Sequence, residues 1–187
     1  YGLKRDQEWD MKPLGAEDFK LTLKRLVSAC KLPGFTFVSF CSAFQISGFL
    51  NELNKFEDSN WKCHSSHGIW YKPNVFVKPS YGTLQAADEF MVYGWFTRKD
   101  AQSQAHRNLF KQTEDADRLT VINVNTIRNR LMCPDQDGLN VTVNPCQKPV
   151  RLIMKLVEFY TVSGGTVLDL CSGTGTTAVA CGLMNRN

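Results

Sequence analysis

Apolar and polar positions change rhythm several times along the chain, and each change marks an element. Phe19, Leu23, Leu26, Val27 and Cys30 recur at three- and four-residue spacing, with Lys20, Lys24 and Arg25 between them. That is the period of an amphipathic helix of about four turns. Pro33 and Gly34 end it. GFTFVSF (34–40) is apolar throughout and rich in β-formers, which predicts a strand buried on both faces. A second helix is expected over 43–55, a polar turn at 58–60, and strands at 69–72 and 89–96. Further on, KPVRLIMKLVEFY (148–160) places Leu152, Ile153, Leu156, Val157 and Tyr160 on one helical face, and Pro149 sits at the start, where its missing N–H is no loss. Gly164 and Gly165 break that helix. TVLDL (166–170) predicts a short buried strand, and residues 174–184 a helix entered through a glycine turn.

The intervening stretches are less regular. Residues 1–13 are polar with Gly2 and Pro13 and predict a loop. Residues 97–117 carry Arg98, Lys99, His106, Arg107 and Lys111 among acidic side chains and predict an insertion. Residues 118–125 fit a strand, and 127–138 a loop with Arg128 and Arg130. Helices alternating with near-continuous apolar strands predict an α/β sheet with helices on both faces.

Composition narrows the class. The chain has 187 residues, 43% of them apolar and 21% charged, as in a globular domain rather than a disordered segment. The formal charge of +4 permits a phosphate-rich partner without demanding one. No apolar run approaches the ~20 residues that span a bilayer, and no charged-then-apolar leader opens the chain, so neither a membrane protein nor a secreted one is expected. The seven cysteines are odd in number and scattered, unlike a disulfide framework. Cys30, Cys41 and Cys171 lie in apolar stretches and are expected to behave as small hydrophobes, in a reducing intracellular compartment. A start at Tyr1 and a helical pattern running on to Asn187 are expected of a chain cut at both ends.

The densest chemistry lies in TVLDLCSGTGTTAVACGL. Gly173 and Gly175 leave a turn free of side-chain bulk, so that backbone N–H groups can approach a ligand. The following helix aims its positive end at the same place. Asp169, at the end of the preceding strand, adds an acceptor for an ammonium or hydroxyl, at the sheet edge where α/β proteins bind ligands. A dinucleotide and S-adenosylmethionine both fit, since Gly173, Gly175 and Ala178 also satisfy the dinucleotide spacing. A turn that serves only packing is the plain alternative.

The longer segment NPCQKPVRLIMKLVEFYTVSGGTVLDLCSGTGTTAVA resembles the amino-group DNA methyltransferases, adenine-N6 and cytosine-N4, of the permuted β-type order. Gln147, Lys148 and Pro149 match the family's HPTQKP segment, and Asp169, Gly173, Gly175, Thr176 and Thr177 match its VLDPFxGSGTT turn. IWYKPN (69–74) is similar to its W-x-K-x-N strand and ADEFMVYG (87–94) to its hE-x-il strand. YGLKRDQEWD resembles the continuation of its DPPY catalytic motif, with Tyr1 as the tyrosine. The chain departs from the pattern at Asn144, Cys146 and Cys171, where the family has His, Thr and Phe. The Asp-Pro-Pro that the family pattern expects before the tyrosine is not in this sequence.

The resemblance implies a Rossmann-like, class-I S-adenosylmethionine-dependent methyltransferase fold, three layers α/β/α and incomplete in this chain. One domain is expected over 1–187: a catalytic-side half at 1–96, a small target-recognition insertion within 97–143, and a cofactor-binding half at 144–187. It implies S-adenosylmethionine as cofactor, held by Gln147, Lys148, Pro149, Asp169, Cys171, Ser172, Gly173, Thr174, Gly175, Thr176 and Thr177. Tyr1 would be catalytic, stacking on the target base. Arg107, Arg128 and Arg130 would contact phosphates of double-stranded DNA, with the base flipped out of the stack. The implied reaction is methyl transfer to the exocyclic amine of adenine before cytosine. No metal and no membrane are implied, and the setting is cytoplasm, nucleoid or nucleus.

Other constellations carry less. Cys63, His64 and His67 make half of a zinc-like cluster without a completing pair, and plain loop residues are the better expectation. Phe35, Phe37, Phe40 and Phe44 are expected in the core. Ser172 lies on a glycine turn, but CSGTG is not a hydrolase elbow. Two further hypotheses stand beside the enzyme: an inactive relative kept as a nucleic-acid-binding or partner subunit, motivated by the three departures, and a dinucleotide-dependent oxidoreductase.

Overall fold

The computed structural model describes residues 14–74, 86–101, 121–127, 132–134, 140–142 and 146–187. The chain divides into two units, one on residues 1–67 and 90–101, the other on 68–89 and 102–187.

In the first unit, α1 (Ala16–Ala29) realises the predicted period, with Phe19, Leu23 and Val27 buried. The Asp18 carboxylate accepts the Gly15 N–H at 3.4 Å, and Glu17 and Asp18 suit the positive end of the first turn. β1 (Gly34–Cys41) follows, then α2 (Ile46–Asn54), shorter at its start than expected. Gln45 secures that entry, taking the Ser42 N–H on Oε1 at 2.9 Å and donating from Nε2 to the Leu14 carbonyl at 2.8 Å.

α1 and α2 pack together. Phe19 and Phe49 stack with centroids 4.2 Å apart and planes 6° from parallel. Lys20 spans the pair, 3.0 Å from Glu52 and 3.6 Å from Glu17. The core adds Leu53, Trp61, Val92 and Phe96, with Phe35 and Phe37 packed against it.

β2 (Trp61–Tyr71) and β3 (Asp88–Arg98) are long strands. Together with β4 (Val121–Asn123) they give the sheet order β1-β3-β2-β4. β1 pairs antiparallel with β3, Gly34 opposite Thr97 and Cys41 opposite Phe90. β2 pairs parallel with β4, Ile69 opposite Val121. β5 (Met132–Pro134) and β6 (Asn140–Thr142) form a separate antiparallel ribbon.

In the second unit, α3 (Val150–Tyr160) buries Leu152, Ile153, Leu156 and Val157, with Pro149 as its N-cap. α4 (Thr176–Leu183) buries Thr176, Ala180 and Cys181 and packs against α3.

Several expectations are corrected. β1 is not buried on both faces: all its residues are half-buried, and among the described residues β3 is its one neighbour in that sheet. β2 begins at Trp61 rather than 69, so Cys63, His64 and His67 are strand residues rather than loop residues. The expected loop at 127–138 contains β5.

Segment 166–170 forms no strand ladder, and Leu168 and Leu170 are 68% and 58% exposed. Val167 donates to the Asn187 carbonyl and Asn187 to that of Gly165; beyond this, nothing among the described residues pairs with the segment. Phe44 is 96% exposed rather than core, since it stands on the turn before α2. Cys171 is exposed, on the turn that follows the open segment. Among the described residues no helix is long and apolar enough to cross a membrane.

Candidate functional site

The site is built from two adjoining pieces of the second unit, the stretch leading into α3 and the turn leading into α4. Pro149 is buried, and its fixed φ of −63° turns the chain into the helix. Before it, Lys148 Nζ donates to the Cys146 carbonyl at 3.2 Å. It also pairs with the Glu89 carboxylate at 3.0 Å. Gln147 is half-buried and Cys146 exposed.

After α3 the chain passes Gly164, at φ 74°, and is tied back by Arg186. That guanidinium donates to the Thr161 hydroxyl at 3.0 Å and the Thr161 carbonyl at 3.2 Å.

The glycine turn then takes a conformation that explains its composition. Gly173 has φ 51° and Gly175 φ 75°, both left-handed, where a Cβ strains the backbone. An added Cβ on Gly175 would meet nothing within 4 Å, so the space beside it is open. Gly175 N–H donates to the Ser172 carbonyl at 2.7 Å and closes the turn. The amides of Gly173, Thr174, Thr176 and Thr177 find no backbone acceptor among the described residues.

Asp169 turns one oxygen back onto the Cys171 N–H, 2.9 Å away, and its carboxylate stands exposed at the mouth of the turn. The Thr174 and Thr176 hydroxyls lie 3.3 Å apart. Amides at a helix start without a backbone acceptor, open space beside the left-handed Gly175 and an exposed carboxylate on the same turn suit a zwitterionic ligand, whose anionic end meets N–H groups and whose cationic end meets oxygen.

Asp169, Cys171, Ser172, Gly173, Thr174, Gly175, Thr176 and Thr177 are thus gathered on one turn, and Gln147, Lys148 and Pro149 on the stretch that starts the helix packed against α4. Tyr1, Arg107, Arg128 and Arg130 lie outside the described residues, as do Trp9, Asp10 and Asn144.

Lys72 lies within IWYKPN and Glu89 within ADEFMVYG, where the sequence alone assigns them no role. They join Lys148: Lys72 Nζ is 2.8 Å from Glu89 Oε1, and Lys148 Nζ is 3.0 Å from Glu89 Oε2. The signal for them was a lone Lys and a lone Glu at the ends of apolar strands. Burial pushes the Glu89 carboxyl up, but the Lys148 and Lys72 ammoniums outweigh it and hold the group below its ordinary value. Trp70 and Asn74, from the same strand region, serve structure. The Trp70 indole donates to the Val124 carbonyl at 2.7 Å. The Asn74 side chain donates to the Thr126 carbonyl at 3.0 Å and accepts its N–H at 2.6 Å.

Cys63, His64 and His67 do not converge. Cys63 packs against the first unit's core, while His64 stacks on Trp95 at 5.1 Å, as side alternation along a strand requires. Among the described residues no group of three or more His, Cys, Asp and Glu is placed to hold a metal. An open depression of about 320 Å³ in the first unit, lined by residues including Phe56, Trp61, Cys63 and Lys99, contains none of the candidate donor-site residues.

A mixed sheet together with a helix entered through a left-handed glycine turn is compatible with a Rossmann-like fold. Solved structures agree. The chain resembles the M1.HpyAVI–SAM complex at 24% identity and TM-score 0.63, covering 92% of this chain and 72% of that one. It resembles another M1.HpyAVI structure at 21% identity and TM-score 0.62, covering 94% and 75%. It also resembles PvuII DNA methyltransferase, cytosine-N4-specific, at 12% identity and TM-score 0.57, covering 100% and 70%. The fold is that of the class-I S-adenosylmethionine-dependent methyltransferases.

Residues 1–187 match the DNA methylase family, and the chain belongs to it, among the N6/N4 amino-group methyltransferases. No curated protein sequence matches the chain.

Proposed function

We propose that the protein is an S-adenosylmethionine-dependent DNA methyltransferase acting on the exocyclic amine of a flipped base, adenine N6 in preference to cytosine N4. The observation that carries this reading is the turn at Asp169–Thr177, where amides without a backbone acceptor among the described residues adjoin two left-handed glycines, with open space beside Gly175. Within a family of DNA methylases, that turn fits the methionine end of the donor. Gly173, Thr174 and the α4 N-terminus would bind the donor carboxylate, and the Asp169 oxygen its ammonium. Cys171, Ser172, Thr176 and Thr177 line the same turn, while Gln147, Lys148 and Pro149 set the helix beside it. The donor supplies an electrophilic methyl group on sulfur.

An exocyclic amine is a weak nucleophile because its lone pair is delocalised into the ring. The protein's share is therefore to orient that amine and to exclude water, which are proximity and electrostatic effects. Tyr1 stacks on the extruded base, and Arg107, Arg128 and Arg130 meet phosphates. The preference for adenine rests on the family resemblance alone, which restores an Asp-Pro-Pro before Tyr1 more naturally than a Ser-Pro-Pro.

Titration calorimetry with S-adenosylmethionine, followed by transfer of a labelled methyl group to duplex DNA and digestion to nucleosides, tests each step. Label in N6-methyladenine is the expected result. Label in N4-methylcytosine would reverse the base preference, and absence of donor binding would end the reading. Gly173→Val should abolish donor binding while the circular dichroism of the helices is kept, because a branched side chain cannot hold φ 51°.

A further inference from the structure

Three charged side chains from separate stretches of the second unit meet at Glu89. Each of its carboxylate oxygens has its own ammonium, Lys72 at 2.8 Å and Lys148 at 3.0 Å. The three side chains are 33%, 15% and 21% exposed, so this is a partly dehydrated cluster rather than a solvated surface pair. Lys72 is steadied from behind: its Nζ lies 4.8 Å from the centroid of the Trp70 ring, and that ring is fully buried and anchored to the Val124 carbonyl. Backbone bonding adds to the hold, since the Lys72 N–H donates to the Ala87 carbonyl at 2.7 Å. The Lys72–Glu89 end of the cluster is therefore fixed to the sheet.

The Lys148 end is fixed to something that leads to the glycine turn. Lys148 stands immediately before Pro149, the N-cap of α3. α3 packs along α4, and α4 begins at the turn. The far end of α3 is locked as well, through Arg186 and Thr161. A close-packed helix pair moves as a body rather than deforming locally. Releasing the 146–149 stretch would therefore let α3 shift and carry α4 with it.

We infer that Glu89 is a positioning residue for the methyl-donor site: by clasping Lys72 and Lys148 it pins the start of α3 to the sheet and so fixes the seat of the glycine turn. The inference rests on the proposed donor site and adds to it a residue outside the turn. Replacing the carboxylate by an amide leaves two half-buried ammoniums facing one another across a neutral group. The 146–149 stretch is then pushed from its place rather than merely loosened.

The test is titration of the full chain with S-adenosylmethionine, well below the melting temperature, for wild type, E89Q, K148M and the double variant. Glu89→Gln should raise the donor Kd about tenfold, as small misplacements of a preorganised site do. The double variant should bind no more weakly than K148M alone, because both substitutions break one linkage. Hydrogen exchange at the 146–148 amides should quicken in Glu89→Asp, whose shorter carboxylate cannot reach both lysines, with the donor Kd rising in parallel. Glu89→Asp also serves where the amide variant fails to fold.

A lowered melting temperature with an unchanged donor Kd would make Glu89 structural only and overturn the inference, as would additive losses in the double variant. A wild type that gives no binding heat at all defeats the donor reading first, a result distinct from a wild type that binds and a Glu89→Gln variant that binds equally well.

Discussion

Gly173 and Gly175, like Gly164, are residues whose identity the backbone demands. A left-handed conformation strains any residue with a Cβ by about 1–2 kcal/mol. At Gly175 no neighbouring atom adds to that strain. Gly175→Ala should therefore lower the melting temperature by only a few degrees, while its methyl group intrudes on the open side of the turn and weakens donor binding at least tenfold by calorimetry. A lowered melting point with unaltered affinity would remove the turn from the site.

Cysteines sort by the same local logic. Burial pushes the Cys63 thiol up to about 12, whereas Cys146 and Cys171 are exposed. Mild alkylation at pH 8 followed by peptide mapping should label Cys146 and Cys171 first and spare Cys63, since the thiolate is the reactive form. Cys171 also shows where sequence falls short. Its apolar neighbours suggested burial, but apolar neighbours bury a residue only when another element covers them.

Among the elements, the helices were the most legible, because a 3.6-residue period needs only the helix's own side chains to show itself. Phe19, Leu23 and Val27 in α1, and Leu152, Ile153, Leu156 and Val157 in α3, are buried as their spacing predicted. Strands were read less well. Trp61–Gly68 mixes Lys, Cys, His and Ser, and its apolar signal is diluted until Ile69, so most of β2 was missed. Segment 166–170 failed in the opposite direction, since a short, mostly apolar run makes a strand only beside a partner.

The pairing of β2 with β3 is tight at Gly94, where an added Cβ would fall on the His64 carbonyl oxygen. Gly94→Ala should destabilise the first unit by at least about 1–3 kcal/mol, the usual range for overpacking, read as a lowered urea midpoint. Trp70→Phe should cost about 1–3 kcal/mol in the second unit, because the buried Val124 carbonyl loses its donor. A change within 0.5 kcal/mol, the range of an ordinary surface substitution, would mean that water replaces the indole.

At the scale of the whole molecule, two charge statements can be made. The excess of 22 Lys and Arg over 18 Asp and Glu is small, so attraction to DNA has to come from local clusters. Glu89 bears on acid stability. Its folded value is held below the ordinary 4.5, so the unfolded chain takes up the proton first as pH drops. The carboxylate's contribution is thus complete above that ordinary value and is lost as pH falls from there through the folded one. Melting temperatures measured from pH 6 down to pH 3 should decline, and Glu89→Gln should flatten part of that decline.

The family was legible because its motifs are short and local, each contained in one turn or one strand end. The Lys72–Glu89–Lys148 meeting was not, since no local spacing announces a contact between residues 59 positions apart.

Leu168, Leu170, Val179 and Leu183 all present more than half their surface to solvent within one short stretch of the second unit. In the test tube that greasiness has a practical side. Preparations of these 187 residues should light up a dye that fluoresces in oily surroundings, and should clump as concentration rises. Exchanging Leu168 and Leu170 for serine should clear the solution while leaving α3 and α4 intact.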